Sequence, residues 1–500
     1  MNQERGMFMK LNEKREMHFT DFKRQDLAKR VGRLSRICQN LDIPILIMVD
    51  GFESSGKGYV IADISRELNP KYFDVEVFEK DEDYDDKFPT MKRFFESTPR
   101  NGHIKIFAKS FYYKLFEDID IKEDLLNERI ESLRKHEKML YDSKMIIVKF
   151  FLDVEQKEQK ERIEELKKSN RKSFYISKED KKENENYEAY KAHFEKVLNA
   201  TNFETSPWHI IDSNDKKKAS KEALGILLDE ISMGIERVEI QKKDEENQER
   251  SYKKHVKILE TIDLEKTITD EEYEKEKKDL QKQVRDMAFE YYQRGISTVL
   301  VFEGVDAAGK DGAIERLVKK VDPRLYKVNA ISAPTKDELA HHYLWRFYKN
   351  LPEDGYLGIF SRSWYGRVMV ERIEGFAKTV EWDRAYEEII DMEKEIYDHG
   401  SLILKFFVTI DKDEQLKRFM ARENTPDKLY KITDEDWRNR EKWDGYIEAM
   451  NEMLARTNVD YAPWIIVEGK QKKYARIKVM KEYLKKAKAH LDMLDKKNKK

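Results

Sequence analysis

Thr298-Val-Leu-Val-Phe-Glu-Gly304-Val-Asp-Ala-Ala-Gly-Lys310 decides the fold of its half of the chain. Its first five residues are an apolar, β-branched run of the kind buried in a parallel sheet. A glycine ends the run, and the pattern Gly-x-x-x-x-Gly-Lys leads into a helical segment. In that strand–loop–helix setting, loop amides and a helix N-terminus face an anion, and Lys310 adds a point charge for outer phosphate oxygens. The bland alternative is a glycine-rich turn with no ligand.

The pattern occurs twice. Ile45-Leu-Ile-Met-Val-Asp-Gly51 and Gly51-Phe-Glu-Ser-Ser-Gly-Lys57 lie 253 residues before their counterparts. Ile106-Phe-Ala-Lys-Ser-Phe-Tyr112 matches Ile359-Phe-Ser-Arg-Ser-Trp-Tyr365 at the same spacing. Lys149-Phe-Phe151, Thr201-Asn202 and Pro207-Trp208 match Lys405-Phe-Phe407, Thr457-Asn458 and Pro463-Trp464 at a spacing of 256. Blocks that keep their order at nearly constant spacing indicate a duplicated domain, not a short-period solenoid. The expected division is an N-terminal domain over 1–237, a charged linker over 238–255 and a C-terminal domain over 256–500. The polar run from Val238 to Arg250 reads as linker or solvated helix. Thr269-Asp-Glu-Glu reads as the capped start of a helix that runs to about Gln293 and stops at Gly295.

Strand-like runs at Thr298 to Phe302, Gly358 to Phe360, Leu402 to Val408 and Ile465 to Val467 alternate with amphipathic stretches. The expected fold class is α/β, with two tandem P-loop domains, each a parallel sheet flanked by helices.

Bulk properties set limits. At 500 residues, 39% hydrophobic and 39% charged, the chain is long enough for two cores and has a strongly solvated surface. Lys plus Arg (97) nearly cancels Asp plus Glu (99), so a polyanion needs a local basic site rather than a basic protein. The single cysteine, Cys38, allows no internal disulfide. No signal peptide is read at the N-terminus, and no apolar run approaches the roughly 20 residues that span a bilayer. The expected location is cytoplasmic.

The loop departs from the usual pattern. Ser or Thr ordinarily follows the lysine and holds magnesium, but here Asp311 follows Lys310 and Gly58 follows Lys57. Asp306 stands inside the loop, where a carboxylate beside bound phosphate is repulsive unless a cation lies between. It is therefore read as a metal ligand; the alternative is a residue that only stabilises the turn. Candidate phosphate contacts in the loop and first helical turn are Gly304, Ala308, Gly309, Asp311 and Gly312. Downstream, Ser361-Arg-Ser-Trp-Tyr-Gly-Arg367 begins at a strand end, where α/β sites are built. Arg362 and Arg367 could present forked donors to phosphate, or could be ordinary ion-pair partners. Trp364 and Tyr365 read as packing residues. Lys428 to Lys442 looks like a basic helix–loop–helix lid that excludes water, with a solvated helix as the alternative.

Taken together, Glu303-Gly-Val-Asp-Ala-Ala-Gly-Lys-Asp-Gly312, Asp322-Pro-Arg324, Ile331-Ser-Ala-Pro334, Trp345-Arg346, Ser363-Trp-Tyr-Gly-Arg-Val-Met-Val-Glu371, Ala462-Pro-Trp464 and Tyr474-Ala-Arg476 resemble the polyphosphate kinase 2 family, in its tandem-domain branch. The resemblance implies a thymidylate-kinase-like core, magnesium, inorganic polyphosphate as donor and AMP as acceptor, giving ADP. It implies that Lys310 contacts the transferred phosphoryl group and that Asp306 holds magnesium. Arg362 and the lid residue Arg440 would neutralise developing charge, with Lys428 and Lys431 as further lid candidates. Many relatives have Asp where Ser361 stands, so Ser361 would complete the metal site only through its hydroxyl. Expected partners are polyphosphate and AMP or ADP, with no nucleic acid and no membrane; a homo-oligomer is compatible with the sequence. An ATP-dependent nucleoside monophosphate kinase and a non-catalytic binding scaffold are the competing expectations.

The N-terminal copy looks degenerate. It keeps Gly56 and Lys57 but has Glu53 in place of Asp306, Lys109 in place of Arg362 and Lys114 in place of Arg367. In its lid, Asn184 and Asn186 stand at the positions of Arg440 and Lys442. Lysine binds phosphate without reproducing the guanidinium fork.

Overall fold

The computed structural model of the chain describes residues 19, 21–79, 81, 84, 87–168, 178–246, 248–425, 432 and 434–497. Lys428 and Lys431 lie outside the described residues.

Two five-stranded parallel sheets form. The first comprises β1 (Ile45–Gly51), β2 (Phe73–Val77), β3 (Ile104–Ala108), β4 (Ile146–Asp153) and β5 (Trp208–Asp212), in the order β2-β3-β1-β4-β5. The second comprises β6 (Thr298–Gly304), β7 (Tyr326–Ala330), β8 (Leu357–Ser361), β9 (Leu402–Thr409) and β10 (Trp464–Glu468), in the equivalent order β7-β8-β6-β9-β10. The duplication read from spacing is thus a duplication of topology. Strands β6 and β9 are buried along their whole length, which is why their sequences are nearly unbroken apolar runs. The edge strand β7 has only Asn329 buried, and its sequence carries no such run.

The chain divides into two compact units, residues 1–80, 93–244 and 336–342 in one, and 81–92, 245–335 and 343–500 in the other. In the first, Asn101 N–H donates to the Ala340 carbonyl at 2.7 Å. In the second, Asp354 N–H donates to the Lys87 carbonyl at 2.9 Å.

In the first unit, Leu27 and Val31 of the helix Arg24–Asn40, Ile45, Ile47 and Val49 of β1, and Leu224, Leu227 and Ile231 of the helix Lys216–Asp244 share one core. That last helix continues through Val238, which is fully buried, so the polar run read as linker begins as helix. In the second unit the helix Asp270–Gln293 starts at the capping box read from sequence: Thr269 and Glu272 exchange hydrogen bonds at 2.9 and 3.2 Å. Gly295, at φ 60°, follows its end. No described helix is long and apolar enough to cross a membrane.

Candidate active site

Strand β6 delivers the loop. Gly304 has φ 137°, and a Cβ there would lie 2.0 Å from the Val408 carbonyl oxygen of β9, so only glycine fits. Ala307 (φ 61°) and Gly309 (φ 112°) turn the chain into the helix Lys310–Leu317. Lys310 Nζ folds back onto the carbonyls of Gly304 (2.6 Å) and Val305 (3.4 Å). Burial pushes the Lys310 pKa down; Asp306 opposes this, and Arg362 reinforces it. An ammonium held against its charged state in this way is poised to gain from an arriving anion.

Asp306, Lys310 and Arg362 line one cleft of about 660 Å3 that opens to solvent. Arg362 is held at φ 62° immediately after β8, and its guanidinium lies 3.5 Å from Asp306 Oδ1 and 3.6 Å from Glu435 Oε1. It remains 45% exposed, and so is available to a ligand. Ser361 donates to Asp311 Oδ1 at 3.0 Å, placing a hydroxyl and a carboxylate side by side at the loop. Beneath them Glu303 is buried and accepts from Ser363 Oγ at 2.8 Å; burial raises its pKa despite Lys310 nearby. Met369, Val370, Trp443, Ile447 and Met450 give the cleft an apolar wall. Trp364 and Tyr365 are fully buried, in keeping with packing rather than ligand contact.

Two of the arginines singled out from sequence face other partners. Arg367 is paired with Glu371 (2.7 Å) and Glu381 (3.7 Å), lies over the Tyr343 ring, and is absent from the cleft lining. Arg440 donates to the Lys412 carbonyl (2.6 Å) and to Gln415 Oε1 (3.1 Å), bracing the helices Lys412–Glu423 and Asp434–Glu441. Ala308 is buried, its N–H donating to the Val305 carbonyl at 3.1 Å. Gly312 packs in the first helical turn, where a Cβ would meet Arg476 at 3.4 Å.

Three side chains that touch the loop were not singled out from sequence. Asn439 Nδ2 donates to Asp306 Oδ2 at 3.0 Å. Gln415 Nε2 reaches the Asp306 carbonyl at 3.4 Å. Arg418 donates to the carbonyls of Ala307 and Ala308 (both 2.9 Å), Gly469 (2.8 Å) and Lys470 (3.0 Å), binding the loop to the turn after β10. Each lies in a charged helical stretch, where sequence offers no sign of which side chain turns inward.

The N-terminal cleft repeats this frame with altered charges. Gly56 (φ 103°) opens the helix Lys57–Ser65, and Lys57 Nζ donates to Gly51 and Phe52 carbonyls, both at 2.9 Å. Arg162 braces the loop as Arg418 does, donating to Ser55 (2.7 Å) and Ser213 (2.7 Å) carbonyls. Asn184 contacts the Gln156 carbonyl (3.0 Å) and Gln159 Oε1 (2.8 Å), the positions that Arg440 contacts in the other unit. Lys109, at φ 59°, is ion-paired to Glu53 (2.9 Å) and Glu117 (3.2 Å). Glu117 occupies the position of Val370, and Glu183 that of Asn439. Lys109 is thus held closer to its two carboxylates, and is less exposed, than Arg362 beside Asp306 and Glu435.

Could the C-terminal cleft hold a metal? Among the described residues no group of three or more His, Cys, Asp or Glu forms a metal cage. Magnesium seldom needs one: it takes oxygen donors, commonly one or two carboxylates, and completes its shell with water and substrate phosphates. Asp306 on the cleft and the Asp311–Ser361 pair at the first turn after the loop offer oxygen donors only.

A parallel sheet with a glycine-and-lysine loop at the carboxyl end of its central strand, and an arginine projecting from the neighbouring strand end, defines the class of P-loop kinases. The family model for polyphosphate kinase 2 matches residues 14–239 and again 267–496. The chain belongs to the polyphosphate kinase 2 family. It is 36% identical over 451 residues to a polyphosphate:AMP phosphotransferase of Pseudomonas aeruginosa, covering 89% of this chain and 90% of that protein. A polyphosphate:AMP phosphotransferase of Acinetobacter johnsonii is 34% identical over 461 residues, covering 90% and 92%. The crystal structure of a Pseudomonas aeruginosa protein described as a polyphosphate kinase 2 superposes with a TM-score of 0.81 at 30% identity, covering 99% of this chain and 97% of that one.

Proposed function

We propose that the chain transfers the terminal phosphoryl group of inorganic polyphosphate to AMP, giving ADP, at the C-terminal cleft and with Mg2+. The observation that carries this is the convergence of Asp306, Lys310 and Arg362 on one cleft at the β6 loop. The names and coverage of the full-length relatives support the donor and acceptor.

The chemistry asks little of a base. An oxygen of the AMP phosphate, largely ionised near neutral pH, forms the new bond to the terminal phosphorus. The bond from that phosphorus to its bridging oxygen breaks, and the polyphosphate leaves one unit shorter. The difficulty is bringing two polyanions together, so catalysis reduces to alignment and charge cancellation. Lys310 meets the transferred group once it leaves the loop carbonyls. Arg362 spreads its fork over developing charge. Asp306, with Ser361 and Asp311 beside it, would hold Mg2+, which neutralises phosphate oxygens when bound. The apolar wall around Trp443 and Met450 gives the nucleoside a surface to pack on. Arg440 would join the charge neutralisation only by leaving Lys412 and Gln415. Cys38 is free and buried, which agrees with a cytoplasmic setting.

Purified protein with AMP and polyphosphate should form ADP, whereas a nucleoside triphosphate other than ATP should replace polyphosphate poorly. Lys310→Ala should lower turnover by about 10²–10³-fold, and Lys57→Ala should leave it near wild type. Loss of turnover in Lys57→Ala with Lys310→Ala intact would transfer the activity to the N-terminal cleft. Absence of ADP from purified polyphosphate would remove the donor.

A further inference from the structure

Asp306 is restrained at both oxygens. Arg362 lies 3.5 Å from Oδ1, and Asn439 Nδ2 donates to Oδ2 at 3.0 Å. Asn439 is 9% exposed, and its other end is also occupied: Tyr446 Oη donates to Asn439 Oδ1 at 3.0 Å. The two ends of an amide have nearly the same shape, so its orientation is set by its neighbours. A carboxylate accepts only from the NH2 end, and a phenol O–H donates only to the carbonyl end. Asp306 therefore specifies the amide orientation, and the carbonyl end this leaves is the one that accepts the Tyr446 proton. The one Tyr446 proton is shared with a second acceptor, Glu374 Oε1, 3.2 Å from the phenol oxygen. The other oxygen of Glu374 is held by Lys442 at 2.8 Å and Arg438 at 3.5 Å. The result is a continuous path Glu374–Tyr446–Asn439–Asp306, whose last link is the carboxylate at the loop.

The N-terminal unit shows the path undone. Glu183 takes the place of Asn439, 256 residues earlier. Its Oε1 accepts from Glu53 N–H at 2.7 Å and from Gln159 Nε2 at 2.6 Å. With Oε1 taken up by the loop N–H and Gln159, no amide N–H stands there for the loop carboxylate. The amide is thus replaced in the same unit where Arg362 is replaced by Lys109.

We propose that Asn439 is a positioning residue that fixes the orientation of the Asp306 carboxylate for the divalent ion, and that Tyr446 acts through Asn439 by holding its amide the right way round. This rests on the reading of Asp306 as the metal ligand. It adds two residues whose roles are distinct from charge, since neither carries any.

The test uses Mn2+ as probe on the full-length chain saturated with AMP, with free Mn2+ followed by its EPR signal and the Mg2+ dependence of turnover measured in parallel. Asn439→Leu, which keeps size and removes donation, should weaken Mn2+ binding by about 10–100-fold, the range for residues that orient metal ligands. Tyr446→Phe, which removes one oxygen and keeps the ring, should weaken it by a smaller factor. The double variant should be no worse than Asn439→Leu, because a residue that acts through another has nothing left to act on. KM for AMP should change little in each. Wild-type Mn2+ affinity in Asn439→Leu, or losses that multiply in the double variant, would overturn the proposal. Asp306→Asn separates the two readings. If it abolishes Mn2+ binding while Asn439→Leu does not, positioning alone fails; if it leaves Mn2+ binding intact, the metal-ligand reading falls and the positioning role with it.

Discussion

Glu53 and Glu183 share the N-terminal cleft but titrate in opposite directions. Burial pushes Glu53 up, yet Lys57 and Lys109 outweigh it and leave the pKa below the ordinary carboxylate value. For Glu183, burial and the charge of Glu53 outweigh Lys57 and push it up to about 8. The sign of the consequence follows. Between the ordinary value of 4.5 and about 8, the folded chain keeps a proton that the unfolded chain has released. Stability from this group therefore falls as pH rises through that window. Glu183→Gln keeps the accepting oxygen and removes the titration. It should match wild type near pH 5 and melt higher at pH 8.5, by roughly 2–10 °C for a gain on the order of 1–3 kcal/mol. Thermal melts at the two pH values check this, and a pH-independent difference would reject the titration as its source. Sequence placed Glu53 at this cleft by its offset from Asp306. It gave no hint of Glu183, because which residue of Glu179 to Glu185 turns inward depends on how the helix Lys178–Glu185 is rolled.

Lys405 of β9 and Glu393 of the helix Thr379–Asp398 form an ion pair at 2.7 Å with both side chains fully buried. The pair is saturated with polar partners. Lys405 also donates to the Thr457 carbonyl at 2.7 Å, while Glu393 accepts from Tyr365 Oη at 2.7 Å and Trp364 Nε1 at 3.1 Å. The network thus fixes the short turn Trp364–Val368 that follows Arg362, joining core packing to the cleft. Lys149 and Glu137 repeat it in the other unit at 3.0 Å. Removing one partner strands a buried charge, so Glu393→Leu should cost about 3–5 kcal/mol. Lys405→Met together with Glu393→Leu should recover most of that, because an apolar pair of similar volume fills the same space. Denaturant unfolding of the three proteins measures both terms; a double variant no more stable than Glu393→Leu would reject the stranded-charge account. At this scale the sequence was most legible where hydrophobicity decides the element: the runs of β6, β8, β9 and β10, and the capped start at Thr269. It was least legible where partners decide the role. Arg367 and Arg440 look from sequence like phosphate ligands, and only folding shows the carboxylates and carbonyls that engage them. The repeat of Lys149-Phe-Phe151 at Lys405-Phe-Phe407 was visible, but the buried glutamates opposite them were not.

Two units with one topology and one loop geometry turn the duplication into a controlled comparison. The frame is retained in both: the glycine at the strand end, the returning lysine, the bracing arginine and the left-handed residue after the neighbouring strand. Among the side chains that differ are Glu53 for Asp306, Gly58 for Asp311, Ala108 for Ser361, Lys109 for Arg362, Glu117 for Val370, Glu183 for Asn439 and Asn184 for Arg440. The N-terminal cleft, about 800 Å3 including space open to solvent, is no smaller than the C-terminal one at about 660 Å3. Lys109 is spent on Glu53 and Glu117, and Glu117 adds a negative charge where the other unit has Val370. If charge and not frame is the obstacle, exchanging those seven residues for their C-terminal counterparts should restore the site. The experiment is made in a Lys310→Ala background, so that any turnover arises in the rebuilt cleft. ADP formation from AMP and polyphosphate should rise at least about 10-fold above that background, a modest share of the 10²–10³ that one well-placed donor supplies. Lys57→Ala in the rebuilt protein should abolish the gain, which assigns it to the N-terminal loop. A rebuilt protein that folds, binds tripolyphosphate and still forms no ADP would show that the frame, and not these seven side chains, limits the N-terminal cleft.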